Sequence, residues 1–102
     1  YILYQSQYTF TVASRAADAK VQGVTVAGKC CESGDLLGEN VPLQEVHPGD
    51  ILAVLATGAY NYSMASNYNR SCRPPVVLVN GQAARVIIRR ETYEDLIRND
   101  EE

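Results

Sequence analysis

The dipeptide Asn80-Gly81 constrains this chain more than any other feature of its sequence. It suits the positive φ values of a two-residue hairpin turn, and two apolar, β-branched runs flank it, Pro75 to Val79 and Ala83 to Arg90. Two strands joined so tightly pair antiparallel. Arg85, Arg89 and Arg90 mark where the second strand emerges into solvent. Thr92 then caps a short helix, Tyr93 to Arg98, and Asp95 at its third position completes a capping box.

The upstream half reads the same way. Tyr8 to Val12 alternates as a half-buried strand does, and Val24 to Ala27 restarts the pattern after a polar connector, Ala16 to Gln22. Gly34 to Pro48, with its glycines, prolines and acids, reads as a long excursion holding at most one short strand, Val41 to Val46. His47-Pro48-Gly49-Asp50 is a turn, and Ile51 to Ala56 is a nearly all-apolar strand expected to be covered on both faces. The sum is six strands and one or two short helices. That describes a mainly β fold, a small antiparallel Greek-key-like barrel or sandwich.

At 102 residues the chain suffices for one domain, 1–102, with an ordinary core. A net charge of −3 without a basic stripe argues against nucleic acid as a partner. The apolar runs are far shorter than the ~20 residues of a membrane span. The N-terminus lacks the basic and apolar regions of a signal peptide, and a start at Tyr1 reads as a piece of something longer. Three cysteines cannot all pair with one another, and adjacent Cys30 and Cys31 would bridge only through a strained ring. Reduced thiols in a cytoplasmic protein are expected. No zinc site is expected, because there is no C-x-x-C pair and His47, in a turn, is the one histidine.

Two segments do not suit a plain β-domain. Thr57 to Arg70 carries three tyrosines and three asparagines among small residues. Such a surface approaches a polar ligand or another subunit, or it is a polar loop whose tyrosines plug the end of the fold. Gly58-Ala59 lets backbone come close to a neighbour, and Tyr60 presents a hydroxyl on a rigid ring. In Lys29-Cys30-Cys31-Glu32-Ser33-Gly34-Asp35, a cysteine beside a glutamate can act as proton donor and cation anchor. The same residues also fit a strand end with buried, inert thiols.

Taken together, Gly28-Lys29-Cys30-Cys31-Glu32-Ser33-Gly34-Asp35, Pro48-Gly49-Asp50 and Gly58-Ala59-Tyr60 followed by Ser66-Asn67-Tyr68-Asn69 form an ordered set. In these blocks the chain resembles the C-terminal β-domain of the diaminopimelate decarboxylase family. Those are fold-type III pyridoxal-phosphate enzymes that pair an N-terminal (β/α)8 barrel with a C-terminal β-domain, as alanine racemases do. The resemblance runs from the Tyr8 strand to Leu96.

The resemblance implies roles for particular residues. Cys31 would be the catalytic cysteine, reaching across a head-to-tail homodimer into the other subunit's site as the candidate proton donor. Glu32 would bind the polar end of meso-2,6-diaminopimelate there, and Tyr60 would hold the phosphate of pyridoxal 5'-phosphate and contact substrate in its own subunit's site. Tyr62 to Asn69 would line the interface and the site's rim, while Cys30 and Cys72 would be structural. The implied reaction removes CO2 from meso-diaminopimelate to give L-lysine. An ornithine, arginine or carboxynorspermidine decarboxylase is a related alternative, disfavoured by Glu32-Ser33-Gly34, and a stand-alone binding or assembly module is another. The barrel, its Schiff-base lysine and the domain's first strand are missing here, and neither Lys20 nor Lys29 lies in the family's lysine motif. The chain alone is therefore expected neither to hold the cofactor tightly nor to decarboxylate, and its open sheet edge invites self-association.

Overall fold

The computed structural model describes residues 7–101, in two compact units, 1–61 and 62–102. The N-terminal reading above falls partly on residues 1–6, outside those described. Among the described residues the fold is mainly β, six strands in antiparallel pairs with two short α-helices and two 3-10 turns.

In the first unit, β1 (Phe10–Val12) pairs with β4 (Leu52–Val54), and β2 (Gln22–Ala27) with β3 (Leu36–Leu43). The β2–β3 hairpin thus lies in sequence between two strands that pair with each other. Phe10 and Val12 on one ladder and Val41 and Leu43 on the other bury into one core, with Tyr8, Val24, Val26, Leu52 and Val54 packed around it. Gln44 is buried among them, and its Oε1 accepts from Val12 N at 3.0 Å while Nε2 donates to Thr11 Oγ1 at 3.0 Å. This amide joins β1 to the end of β3.

Two expectations fail in this unit. β3 is the longest strand of the chain and begins at Leu36, where a mostly irregular excursion was expected. Its ladder explains the discrepancy. From Val24 to Val26, β2 advances two residues while β3 advances three, from Val41 to Gly38, and one further extra residue follows before Leu36. Asn40, at φ 51°, sits in the first bulge. Bulges break the alternation that announces a strand, so buried Gly38 and Val41 stand three residues apart and only Val41 and Leu43 keep a spacing of two. The second failure is Ile51 to Ala56. Only Leu52–Val54 is strand; it is half-buried, and Ile51 is 73% exposed. Among the described residues β4 has a ladder partner on one side alone, β1, and Ala56 at φ 57° turns the chain away.

The turn before β4 forms as expected. Asp50 accepts from His47 N at 2.7 Å and from Arg15 Nη2 at 2.6 Å, and Arg15 also donates to Glu45 O at 2.7 Å. The Arg15 bond, followed by that of His47 N, holds the Asp50 carboxyl below its usual range.

In the second unit, β5 (Val76–Asn80) pairs with β6 (Ala83–Ile88), and Asn80 faces Ala83. The two-residue turn is therefore Gly81-Gln82, one residue later than Asn80-Gly81. Gly81 takes φ 61°, as the first central residue of a type II′ turn does. The expected capping box is present on the helix Tyr93–Ile97: Thr92 Oγ1 accepts from Asp95 N at 3.3 Å, and Asp95 Oδ2 accepts from Thr92 N at 2.8 Å. Arg89 adds bonds of 2.7 and 2.9 Å to Asp95, and these, ahead of the Thr92 amide, drive its carboxyl far below the ordinary range.

Candidate functional site

Residues 28–35 join β2 to β3 and carry the thiol–carboxylate run. Hydrogen bonds close the neck of this loop: Gly28 N donates to Asp35 O at 2.9 Å, and Cys30 N donates to Asp35 Oδ2 at 2.9 Å. Nearer the tip, Asp35 N donates to Glu32 O at 3.0 Å and Glu32 N to Cys30 O at 2.8 Å. A Cβ at Gly28 would fall onto the Asp35 carboxylate, which would then have to leave its place.

Cys31 and Glu32 both stand exposed on this braced loop. The Glu32 carboxylate accepts from Gly34 N at 2.8 Å. Cys30 differs from its neighbour: it is half-buried, and burial, then the adjacent Asp35 charge, push its thiol up. The adjacent cysteines thus divide into one kept protonated and inward and one presented to solvent, and neither is in a disulfide.

Tyr60 lies on a different segment, the one-turn element Gly58–Asn61 that follows β4. Ala59 is extended (φ −75°, ψ 133°), and Tyr60 is left-handed at φ 69°, which interrupts the turn and turns its side chain outward, 75% exposed. A left-handed backbone is uncommon for a bulky residue and costs stability.

The ladders bring both segments to one end of the unit. Phe10 pairs with Val54, and Leu55 N donates to Thr9 O, so the chain leaves β4 toward residue 8. A Cβ at Gly38 would clash with Val41 Cγ2 at 2.7 Å and lie 3.3 Å from the Phe10 ring, which places the hairpin end of β3 near this same end of β1. A cleft of about 260 Å³ opens there, lined by Gln7, Tyr8, Phe10 and residues 37–42. The connection that carries Cys31 and Glu32 and the one that carries Tyr60 both leave the strands toward this end of β1. Asp35 and Gly28 had no role in the sequence reading. Their pairing is across a hairpin neck, and only the motif's terminal aspartate hinted at it.

The Tyr62 to Asn69 stretch belongs to the second unit, where it is held by Glu91. That carboxylate accepts from Arg73 N at 2.6 Å and Asn67 Nδ2 at 2.7 Å, and these bonds hold Glu91 below its usual range. Arg73 returns bonds to Ala65 O. The backbone there is left-handed at Asn69 and Arg70. Among the described residues no cluster of histidine, cysteine and acid side chains could hold a metal ion, and no helix is long and apolar enough to cross a membrane.

Comparison with known proteins shows what the chain as a whole is similar to. A family model described as "Pyridoxal-dependent decarboxylase, C-terminal sheet domain" matches residues 1–58. Diaminopimelate decarboxylase of Synechocystis is 58% identical over 99 residues, 97% of this chain and 21% of that protein. The Bacillus subtilis enzyme of the same name is 52% identical over 98 residues, 96% of the chain and 22% of that protein. A crystal structure of diaminopimelate decarboxylase from M. jannaschii in complex with L-lysine superposes with a TM-score of 0.85 at 37% identity, covering 98% of this chain and 23% of that one. The chain thus spans about a fifth of the length of these relatives. It belongs to the family of C-terminal sheet domains of the pyridoxal-dependent decarboxylases.

Proposed function

We propose that residues 1–102 act as one C-terminal domain of a diaminopimelate decarboxylase, a cytoplasmic homodimer whose N-terminal barrel domain holds pyridoxal 5'-phosphate. The observation that carries this reading is the exposed Cys31–Glu32 pair on a loop braced at its neck, emerging at the same end of its unit as Tyr60. The identity to the Synechocystis and B. subtilis enzymes supports the choice of substrate.

This chain's side chains fit a share of such a site. Tyr60 offers a neutral hydroxyl donor on an exposed ring, suited to a phosphate oxygen at a place where a charged donor is supplied elsewhere. Glu32 carries the negative charge that matches the distal ammonium of meso-diaminopimelate. Cys31 holds a proton at Sγ. When bound, the cofactor supplies an electron sink for the pair released as the bond to CO2 breaks. The proton from Cys31 Sγ then takes the place of CO2 on Cα, and water restores the thiol. In the homodimer, Cys31 and Glu32 of one subunit complete the site of the other, while Tyr60 serves its own.

The test is turnover of meso-diaminopimelate to L-lysine by the whole enzyme carrying this domain. Loss of a general acid typically costs on the order of 100-fold or more, so Cys31→Ala should lower kcat by at least that factor. Tyr60→Phe should weaken cofactor retention on dialysis. Unchanged turnover in Cys31→Ala would remove the cysteine from the mechanism.

A further inference from the structure

Asp35 touches both sides of Cys31 without touching Cys31 itself. Its Oδ2 accepts from the amide of Cys30 at 2.9 Å, the residue before, and its own amide donates to the carbonyl of Glu32 at 3.0 Å, the residue after. A third bond, from Gly28 N to Asp35 O at 2.9 Å, ties the aspartate to the last turn of the β2 side. The segment that carries the exposed pair is therefore gripped at three points by one half-buried residue. The space its carboxylate needs exists because residue 28 has no side chain. A loop of this length would otherwise sample many conformations, and a reacting group misplaced by about 1 Å can lose on the order of 100-fold in rate.

We propose that Asp35 is the positioning residue for Cys31 and Glu32, its carboxylate acting through the Cys30 amide beside backbone bonds that any residue at 35 would make, with Gly28 as the vacancy that admits that carboxylate. The assignment rests on the reading of Cys31 and Glu32 as the reactive pair. Asp35 also acts through its charge, which after burial is the next cause that pushes the half-buried Cys30 thiol up.

The roles of hydrogen bond and charge separate by substitution. Asp35→Asn keeps an oxygen for the Cys30 amide and loses the charge, whereas Asp35→Ala loses both. Gly28→Ala leaves Asp35 intact and evicts its carboxylate.

The experiment measures kcat/KM on meso-diaminopimelate and amide hydrogen exchange of the 28–35 peptide in the whole enzyme, with Cys31→Ala alongside. Asp35→Ala should lower kcat/KM at least tenfold and speed exchange at Cys30. Asp35→Asn should recover kcat/KM to within about threefold of the parent and slow that exchange again. Gly28→Ala should imitate Asp35→Ala, and the double variant should fall no further than Asp35→Ala alone, because both remove one bond. If Asp35→Ala does not fold, Gly28→Ala against Asp35→Asn carries the comparison. Parent-like kcat/KM in Asp35→Ala or Gly28→Ala, with Cys31→Ala inactive, would overturn the positioning role and leave the reactive pair standing. So would an Asp35→Asn variant no better than Asp35→Ala. An active Cys31→Ala enzyme would overturn both.

Discussion

Among the described residues Gln44 is the one polar side chain buried in the first unit's core, at 1% exposure, and replacing it by methionine isolates what it does there. Methionine preserves length and flexibility and removes both ends of the amide. Val12, itself wholly buried, then has a backbone N–H that had donated to Gln44 Oε1 at 3.0 Å and has lost that partner. A buried donor stripped of its acceptor costs about 1–3 kcal/mol. The second bond, to Thr11 Oγ1, is less costly to lose, because Thr11 is half-buried and water can replace the amide. Added apolar burial of the methionine offsets part of this, and the net is about 2 kcal/mol. For a domain of this size that is a fall in Tm of about 10 °C. Urea denaturation followed by circular dichroism measures it directly. Gln44→Glu supplies the internal control. It restores an acceptor for Val12 but buries a charge beside the Asp18 carbonyl, 3.5 Å from Nε2 in the parent. Its folded carboxyl is raised above the unfolded value of about 4.3, so the deficit relative to the parent should be absent below that pH and grow as pH rises above it. A Gln44→Met protein within about 0.5 kcal/mol of the parent would refute the claim that this amide joins β1 to β3.

Three further outcomes follow from the geometry. Asp50, Glu91 and Asp95 all have carboxyls held below their ordinary values of 3.8, 4.5 and 3.8. Depressed folded values mean stability that is complete above the ordinary range and lost as pH falls through it, so Tm should be level from pH 7 to 5 and drop below about pH 4. Asp95→Asn should lower the neutral Tm and flatten that acid slope. Gly81→Ala should destabilise by about 1–2 kcal/mol through backbone strain alone, since φ is 61° and an added Cβ meets no atom within 4 Å; chemical denaturation reads the loss. With a limiting alkylating reagent at pH 8, mass spectrometry of the 28–35 peptide should find Cys31 modified well before Cys30, whose thiol is half-buried and pushed up.

How much of this was legible in the chain depends on whether the signal was local. The capping box at Thr92 and Asp95 needs four consecutive residues and formed as read. The hairpin was found from Asn80-Gly81 but with the turn one residue too early, because the pairing of Asn80 with Ala83 is decided by the strands as well as by the turn. β3 was lost to its own bulges, and Pro42 and Gly38 reinforced the impression of a loop. Gln44 gave no sign of burial, since what buries it is Val12 N, thirty-two residues away. At the site, Cys31, Glu32 and Tyr60 stood out by residue type and order. Asp35 lies in the same block, but its partners are backbone atoms, which residue identities do not reveal.

The left-handed backbone at Tyr60 carries a consequence for anyone who engineers such a domain. Glycine adopts φ 69° freely, while a β-carbon there costs roughly 1–2 kcal/mol. Glycine at this position would relieve that backbone cost and at the same time discard the ring, its hydroxyl and the interaction it makes. Improvements ranked by melting temperature should therefore be counted at position 60 as a map of what the chain gives up in durability to present that ring.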